Sequence, residues 1–311
     1  LAALERKKIE EEYLEVLRLI AELEEILRNP KRVAKIVADE YAKMKEKFGE
    51  KRRTKIAQDA TREMSDEDLI ADEDVVITIT GRGYIKRQPL ATYRQQHRGG
   101  KGVIGMTTRE EDAVETLQVA NTHDWAMFFT NRGRAFSTKV HEIPDASRQN
   151  KGIPIINLPG VQVDSGEVPV ATVILQHFNA GTYLAFSTKK GIIKKTAIEQ
   201  FEKVRSSGII AITLDKGDEL SQVIPTSGED DLVLATRQGR ICRFHEKEVR
   251  AMGRTAGGVI GIRLARQGDL VVAMAVAELG ADLLVLTETG HGKRVPVQAF
   301  SRKHRGTQGV K

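Results

Sequence analysis

Seven consecutive residues combine three glycines with two permanent cations, and we call this stretch the box loop. Glycine destabilises helix and strand interiors, but it accepts backbone conformations with positive φ that other residues avoid. The stretch therefore predicts an exposed loop whose backbone can approach a ligand closely, with positive charge beside it. A polyanion fits that description, although a basic hairpin turn without a ligand stays open as the alternative. The residues of the box loop are Gln96, His97, Arg98, Gly99, Gly100, Lys101 and Gly102.

The charge of the chain is unevenly distributed along its 311 residues. The formal net charge is +6 overall, with −4 in residues 1–74 and +10 in residues 75–311. A basic second region indicates an anionic partner, and nucleic acid fits better than a membrane surface. Ordinary solvated surface charge is the alternative, because 30% of the residues are charged.

Several other chemistries find no support in the sequence. Cys242 is the single cysteine, so no disulfide framework exists, and we expect a reducing cytosol as its environment. No metal-ligand cluster stands out among the seven scattered histidines, and no phosphate-binding P-loop motif is present. No apolar run is long enough to cross a bilayer. We therefore expect no catalytic residue and no metal site here. Because Leu1 falls inside a helical pattern, we expect a piece of a longer protein.

The N-terminal part of the sequence has a helical heptad pattern. Its apolar positions are separated alternately by four and three residues, which is typical of a coiled-coil seam. We predict a helical coiled-coil arm over residues 1–57, with a helix break at Asn29 and Pro30. An acidic linker over residues 58–74 is predicted to follow it. The seam consists of Ile9, Tyr13, Val16, Ile20, Leu23 and Leu27.

The rest of the chain is built from repeats. A Thr-x-x-Gly motif follows an apolar strand pattern five times, and a basic strand pattern follows each motif. Strand, tight turn and strand together predict a β-hairpin. The threonines are separated by 50, 58, 48 and 51 residues. They are Thr80, Thr130, Thr188, Thr236 and Thr287.

A second glycine recurs 17 to 19 residues after the glycine of each hairpin motif. A polar stretch that begins with arginine precedes it, and the box loop is the glycine-rich first copy. A period near 50 residues with about four strands per unit indicates a propeller. We predict a mainly β, propeller-like fold over residues 75–311, with four blades and part of a fifth. The second glycines are Gly102, Gly152, Gly208, Gly258 and Gly309.

Lysines and arginines recur at equivalent places in the repeats. In a ring of blades they would lie along a curved outer rim, where they could neutralise phosphates without reading bases. The alternative for each residue is a solvated charge that protects a strand edge from aggregation. The predicted nucleic-acid contacts outside the box loop are Lys86, Arg87, Arg134, Arg148, Lys151, Lys194, Lys195, Arg205, Arg240, Arg243, Arg254, Lys293, Arg294 and Arg305.

The sequence resembles the A chains of bacterial DNA gyrases, which are type IIA topoisomerases. The box loop matches the family's box of Gln, basic residue, Arg, Gly, Gly, Arg or Lys, and Gly. It departs from that pattern at His97, where a permanent cation is usual, so the charge of this position depends on pH. The segments 119–124 and 249–253 are also similar, and the resemblance covers essentially the whole chain.

The resemblance implies a β-pinwheel, a propeller whose blades exchange strands, preceded by a coiled-coil arm. It implies that the domain bends duplex DNA around a basic edge and that the box loop is needed for DNA wrapping and ATP-dependent negative supercoiling. It places the catalytic tyrosine upstream, and it places the use of ATP and Mg²⁺ in the gyrase B protein. The implied partners are double-stranded DNA, the gyrase B protein and a second gyrase A protein in an A2B2 heterotetramer, without a membrane, in the cytoplasm with the nucleoid.

Two other functions remain open from the sequence. The corresponding domain of topoisomerase IV engages DNA without chiral wrapping, and its box is typically degenerate. A non-catalytic β-propeller scaffold that binds a protein partner is the other alternative. Such a scaffold would have an apolar or mixed-charge face instead of a basic rim.

Overall fold

The computed structural model describes residues 2–50, 54, 69–93, 106, 112–179 and 181–311. The chain divides into two compact units, Leu1–Glu63 and Met64–Lys311. Most of the predicted acidic linker lies outside the described residues. The predicted limits of the arm, the linker and the β domain therefore stay predictions.

The first unit contains two helices, α1 (Ala2–Arg28) and α2 (Pro30–Phe48). Asn29 caps α2 as predicted, because its side-chain oxygen accepts a hydrogen bond from the Lys31 amide at 3.1 Å. Pro30 occupies the first turn, where a missing N–H costs nothing. The apolar seam of α1 is exposed, and its pairing with another helix stays a prediction. No described helix is long and apolar enough to cross a membrane.

The described residues of the second unit form five antiparallel sheets. The first sheet has the order β3-β1-β2-β6 and the second has the order β10-β5-β4-β7. The strands of the first are β1 (Asp74–Thr80), β2 (Tyr84–Pro89), β3 (Val114–Asn121) and β6 (Ile153–Pro154). The strands of the second are β4 (Trp125–Thr130), β5 (Arg134–Lys139), β7 (Pro169–Leu175) and β10 (Ile209–Ile210).

The remaining sheets repeat this pattern with fewer strands toward the end. The third sheet has the order β11-β8-β9-β14, the fourth β13-β12-β15, and the fifth pairs β16 with β17. The strands of the third are β8 (Tyr183–Thr188), β9 (Ile192–Ala197), β11 (Leu220–Thr226) and β14 (Val259–Ile260). The strands of the last two are β12 (Asp231–Thr236), β13 (Ile241–His245), β15 (Val271–Val276), β16 (Asp282–Leu286) and β17 (Gly292–Pro296).

The second, third and fourth repeats each give a short strand to the sheet before them. Strand β6 pairs with β2, β10 with β5, and β14 with β9, so the outer strand of each of these sheets comes from the following repeat. An antiparallel bridge between Ile241 and Val310 continues the exchange in the fourth sheet. The predicted mainly β, propeller-like fold is confirmed, and so is the strand exchange that the resemblance implied. We refer to each sheet as a blade.

The Thr-x-x-Gly motif closes every hairpin in the same way. In the first blade the Thr80 hydroxyl accepts a hydrogen bond from the Tyr84 amide at 3.2 Å, and the Gly83 amide donates to the Thr80 carbonyl at 2.8 Å. The glycine has a φ of 78°, a conformation that disfavours side chains. The equivalent threonines of the other four hairpins accept the same hydrogen bond. The motif therefore recurs because each tight turn needs both residues.

The hydrophobic core lies between neighbouring blades. Among the residues that the structure describes, four clusters of buried side chains each combine residues of two consecutive blades. In the second cluster, Phe129 of one blade meets Phe186 of the next edge to face, with ring centres 5.5 Å apart. Because the clusters join neighbours in series, the blades and the loops between them are fixed relative to each other.

Candidate nucleic-acid interface

The structure describes four of the five arginine-containing stretches, which we call crossover loops. They are residues 147–151, 205–207, 254–257 and 304–308, and each leads into the strand given to the preceding blade. The box loop is the first copy, and it lies outside the described residues. Its predicted contacts, Gln96, His97, Arg98, Gly99, Gly100, Lys101 and Gly102, therefore stay predictions.

The glycine that ends each crossover loop lies directly on the preceding blade. A Cβ atom on Gly258 would be 2.7 Å from the Ile193 carbonyl oxygen, and one on Gly309 would be 2.6 Å from that of Ile241. A Cβ atom on Gly152 would overlap the carbonyl oxygen of Ile85. These glycines also have positive φ angles of 70° to 95°. They recur because the backbones of two blades come too close for any side chain.

The arginines at the first or second position of the crossover loops differ in their surroundings. Arg148 and Arg205 are exposed, and Arg254 is half-buried. In the part of the chain that the structure describes, no hydrogen bond or ion pair involves these three guanidinium groups. Arg305 instead donates to the carbonyl oxygens of Glu248 at 2.9 Å and Ile260 at 3.1 Å. Three successive loops thus present guanidinium groups with free donors.

Lys86 and Lys194 do not point outward, and the prediction of an outward position is wrong for both. Each is fully buried. The Lys86 ammonium donates to three carbonyl oxygens of the next crossover loop, and the Lys194 ammonium donates to the carbonyls of Ala211 and Arg254. The strand and loop of the next blade cover their positions, so they cannot reach a phosphate at the surface.

Burial changes the ionisation of these two lysines. Desolvation lowers the pKa of Lys86 below its ordinary value. Desolvation, with a smaller contribution from the charge of Arg254, lowers the pKa of Lys194 to about 8. Hydrogen bonds from the ammonium groups to carbonyl oxygens offset part of the cost of burying the charges.

Lys195 and Arg243 are also buried, which again contradicts the predicted outward position. Lys195 donates to the Glu246 carbonyl at 3.1 Å, and its ammonium is 3.4 Å from the Glu246 carboxylate. Arg243 pairs with the buried Asp231 carboxylate at 2.8 Å. Lys195 thus neutralises a buried acid of the next repeat, and Arg243 neutralises a buried acid of its own blade. Both cations occupy the fourth position after a hairpin glycine.

Two more predicted cations make contacts within the protein. Arg134 donates to Glu167 at 2.8 Å and to Asp164 at 2.9 Å, and it also contacts the Ser207 carbonyl. Arg87 is half-buried and donates to the Ile143 carbonyl at 2.6 Å. Both terminal nitrogens of Arg134 are thus used within the protein, whereas only the Nε of Arg87 has a partner among the described residues.

The other predicted cations are more accessible. Lys151 lies over the Tyr84 ring, with its ammonium 4.9 Å from the ring centre. Arg240 is half-buried and Lys293 is exposed, and no side-chain partner is found for either among the described residues. Arg294 is exposed and pairs with Asp282 at 3.0 Å. Together with the three free crossover arginines, these residues form the accessible part of the predicted set.

The acidic partners and the buried lysine positions were missed from the sequence. The third residue after the hairpin glycine is Lys86, Phe136, Lys194 and Cys242 in blades one to four, respectively. An aromatic ring and a thiol at equivalent places indicate a buried position, and this signal could have identified the inward lysines. The structure also adds Arg250, which is exposed and precedes Arg254 by four residues in the sequence.

The described residues include no group of three or more histidine, cysteine or carboxylate side chains placed to hold a metal ion. Cys242 is buried, and desolvation raises the pKa of its thiol. The accessible members of the predicted set are cationic hydrogen-bond donors, which suit phosphate groups.

The family of the chain follows from its repeats. The family model described as DNA gyrase C-terminal domain, beta-propeller, matches residues 74–121, 124–162, 182–227, 230–278 and 281–311. The chain belongs to the DNA gyrase C-terminal domain family. The five matched segments of this gyrase family correspond to the five hairpin repeats, so the match covers the accessible cations as well as the core.

Relatives and solved structures agree with the gyrase family. The chain is 43% identical over its whole length to the DNA gyrase A protein of Staphylococcus epidermidis, and it spans 35% of that relative's length. A gyrase A C-terminal domain superposes with a TM-score of 0.64 and 25% identity, covering 76% of each chain. The C-terminal domain of a DNA topoisomerase IV superposes with a TM-score of 0.64 and 30% identity, covering 78% of this chain and 73% of that chain.

Proposed function

We propose that this chain binds and bends duplex DNA as part of a gyrase A protein. The observation that carries the proposal is the recurrence of Arg148, Arg205 and Arg254 at equivalent places in successive crossover loops, each without a partner among the described residues. Guanidinium groups at regular intervals would contact phosphates along one path, without reading base sequence. Lys151, Arg240, Lys293 and Arg294 extend the same path.

The energetics of bending require several such contacts. Bending a short duplex site by 40–90° costs on the order of 1–6 kcal/mol. Each phosphate that a cation neutralises releases counterions, and this favours binding by an amount that falls as salt rises. A rim with a free arginine in three successive crossover loops offers repeated contacts to offset the bending cost. The box loop, as the first and richest copy, would add Arg98 and Lys101.

The larger activity is proposed from the relatives. In a whole gyrase the bent DNA would be passed to the cleavage site of the gyrase A protein, and the result would be ATP-dependent negative supercoiling. We propose the gyrase B protein, a second gyrase A protein and double-stranded DNA as partners, in the cytoplasm with the nucleoid. ATP and Mg²⁺ would be used by the gyrase B protein, and the catalytic tyrosine would lie outside this stretch of chain.

A topoisomerase IV function is the second candidate. It is favoured by the solved topoisomerase IV domain, whose TM-score of 0.64 equals that of the gyrase domain and whose identity is 30%. The box loop supports the gyrase function, because its sequence keeps the family's box at every position except His97. The gyrase function requires chiral wrapping, whereas the topoisomerase IV function requires DNA binding alone.

A topology experiment tests the proposal. The chain is bound to a nicked circular plasmid, the nick is sealed by ligase, and the shift in linking number is measured. We expect a shift that is lost when Arg98 and Lys101 are both replaced by alanine. Salt-sensitive binding without any shift would favour the topoisomerase IV function. Absent or salt-independent binding would contradict both and favour a protein-binding scaffold.

A further inference from the structure

We propose that Lys86 and Lys194 are positioning residues, which hold the next crossover loop so that Arg148 and Arg254 can reach DNA phosphates. The inference rests on the proposed DNA binding and adds the residues that set its geometry. Both lysines lie at the third position after a hairpin glycine. Neither lysine touches DNA in this proposal, because both side chains are buried.

Lys86 is bound to the second blade's crossover loop through its whole ammonium group. The ammonium donates to the carbonyl oxygens of Ser147 at 3.0 Å, Arg148 at 2.9 Å and Asn150 at 2.9 Å. An ammonium has three donors, and all three are used here. The carbonyl of Arg148 is thus held inward while its side chain is exposed. The contact fixes the backbone from which the free guanidinium extends.

Lys194 does the same two blades later. Its ammonium donates to the Ala211 carbonyl at 2.6 Å and to the carbonyl of Arg254, which starts the crossover loop. The Arg254 amide is held from the other direction by the Gln200 side chain at 3.1 Å. Both polar backbone groups of Arg254 are therefore fixed, while no partner for its guanidinium is found in the described residues.

The other two described loops are held differently. Phe136 occupies the equivalent position in the second blade, and a Cβ atom on Gly208 would be 2.7 Å from its ring. Cys242 occupies it in the fourth blade, with its sulfur 3.3 Å from the Thr307 hydroxyl. In the crossover loop that lies on the fourth blade, the Arg305 side chain is bound to carbonyl oxygens. Lysine thus occurs under two of the three arginines whose guanidinium groups have no partner in the described chain, Arg148 and Arg254. The third, Arg205, begins a loop that Phe136 packs against, and there Arg134 donates to the Ser207 carbonyl.

A lysine differs from an apolar side chain in what it fixes. An apolar side chain fills space but leaves the inward carbonyl oxygens without a donor, so the loop would turn them toward water. An ammonium binds several carbonyl oxygens at once and selects one loop conformation. Removing it while keeping the side-chain volume should therefore move the arginine without emptying the core.

A double-mutant cycle with the 311-residue chain tests the proposal. The affinity for a duplex DNA is measured at several salt concentrations for Lys86→Met, Arg148→Ala and the double variant. Arg148→Ala should reduce the steepness of the log–log salt dependence by about 0.9. This corresponds to binding that is roughly eightfold weaker at about 0.1 M salt. Lys86→Met should cause most of the same loss. The double variant should bind no more weakly than Arg148→Ala alone.

Matched variants separate positioning from general damage. Lys86→Met combined with Arg205→Ala should show additive losses, because Phe136 and not Lys86 lies under the Arg205 loop. Lys216→Met removes one exposed ammonium from the same unit and should leave the Lys86–Arg148 coupling unchanged. Additive losses from Lys86→Met and Arg148→Ala would overturn the inference, because a purely structural role lowers the folded fraction independently of Arg148.

Two further outcomes are also decisive. If Arg148→Ala does not change the salt dependence, the proposed phosphate contact fails, and the inference fails with it in a way distinct from additivity. If Lys86→Met does not fold, the cycle is repeated with Lys194→Met and Arg254→Ala, where coupling is again expected. If neither lysine variant folds, the lysines serve stability alone and the inference is overturned.

Discussion

The guanidinium of Arg243 contacts the carboxylate of Asp231 at 2.8 Å inside the fourth blade. Arg243 also donates to the carbonyl oxygens of Val297 and Phe300, each at 3.2 Å. The same carboxylate pairs with Arg302 at 2.8 Å. Arg243 thus links the hairpin of the fourth blade to the end of the fifth. Its donors are used within the protein, which separates Arg243 from the cations that have no partner among the described residues.

Replacing Arg243 should therefore reduce stability and leave DNA binding nearly unchanged. Arg243→Ala leaves a buried carboxylate with a weaker set of partners and should lower the free energy of unfolding by about 3 kcal/mol. Urea denaturation measures this loss. The exposed Arg205→Ala is the control, and its stability change should stay within about 0.5 kcal/mol. A stable Arg243→Ala with a weaker salt dependence of DNA binding would contradict this assignment.

The stability of the chain should depend on pH through Lys194. Its pKa is about 8 in the folded protein and has the ordinary value of 10.5 when unfolded. Well below the folded pKa, Lys194 is protonated in both the folded and the unfolded state, so it does not make the free energy of unfolding depend on pH there. Between these two values the unfolded chain binds more protons than the folded one, so the free energy of unfolding rises with pH.

The Lys194→Met variant isolates this contribution. Relative to the variant, the original chain should gain about 1 to 2 kcal/mol of unfolding free energy between about pH 8 and about pH 9.5. Urea denaturation of both proteins over this range gives the difference. A difference that is constant with pH, or that falls as pH rises, would show that burial does not lower the pKa of Lys194.

The glycines at the blade boundary should tolerate side chains less well than those at the hairpin turns. Gly152→Ala places a methyl group against the Ile85 carbonyl and also requires a φ of 74°. Gly239 has a φ of 77°, but nothing lies within 4 Å of its Cβ position. We expect Gly239→Ala to cost about 1–2 kcal/mol from backbone strain alone. Gly152→Ala should cost clearly more, and equal losses in urea denaturation would contradict the close approach.

The repeat architecture was predictable because its signals are local. Thr80 and Gly83 lie three residues apart and make one turn, and the same need recurs in every hairpin. Burial of Lys86 was not predictable in this way. It depends on a loop 62 residues later, and on strand pairing that no single repeat contains. The apolar character of Phe136 and Cys242 at the equivalent position was the indirect signal.

The accessible cations were predicted only in part for a similar reason. Arg148 and Arg205 lie in loops whose polar sequence predicts exposure. Arg134 and Lys195 lie on strands whose sequences are also basic. The fold nevertheless brings a buried acid close to each of them, Glu167 to Arg134 and Glu246 to Lys195. Sequence shows the sign of a charge, whereas its partner is set by packing between blades.

The salt dependence of duplex binding by a triple variant tests the central claim most directly. Arg148, Arg205 and Arg254 are replaced together by alanine, and the affinity is measured from low to high salt beside the original chain. If each arginine neutralises one phosphate, the log–log slope should become shallower by about 2.7, while the thermal unfolding midpoint stays unchanged. An unchanged slope in a folded triple variant would contradict a DNA path along the crossover loops.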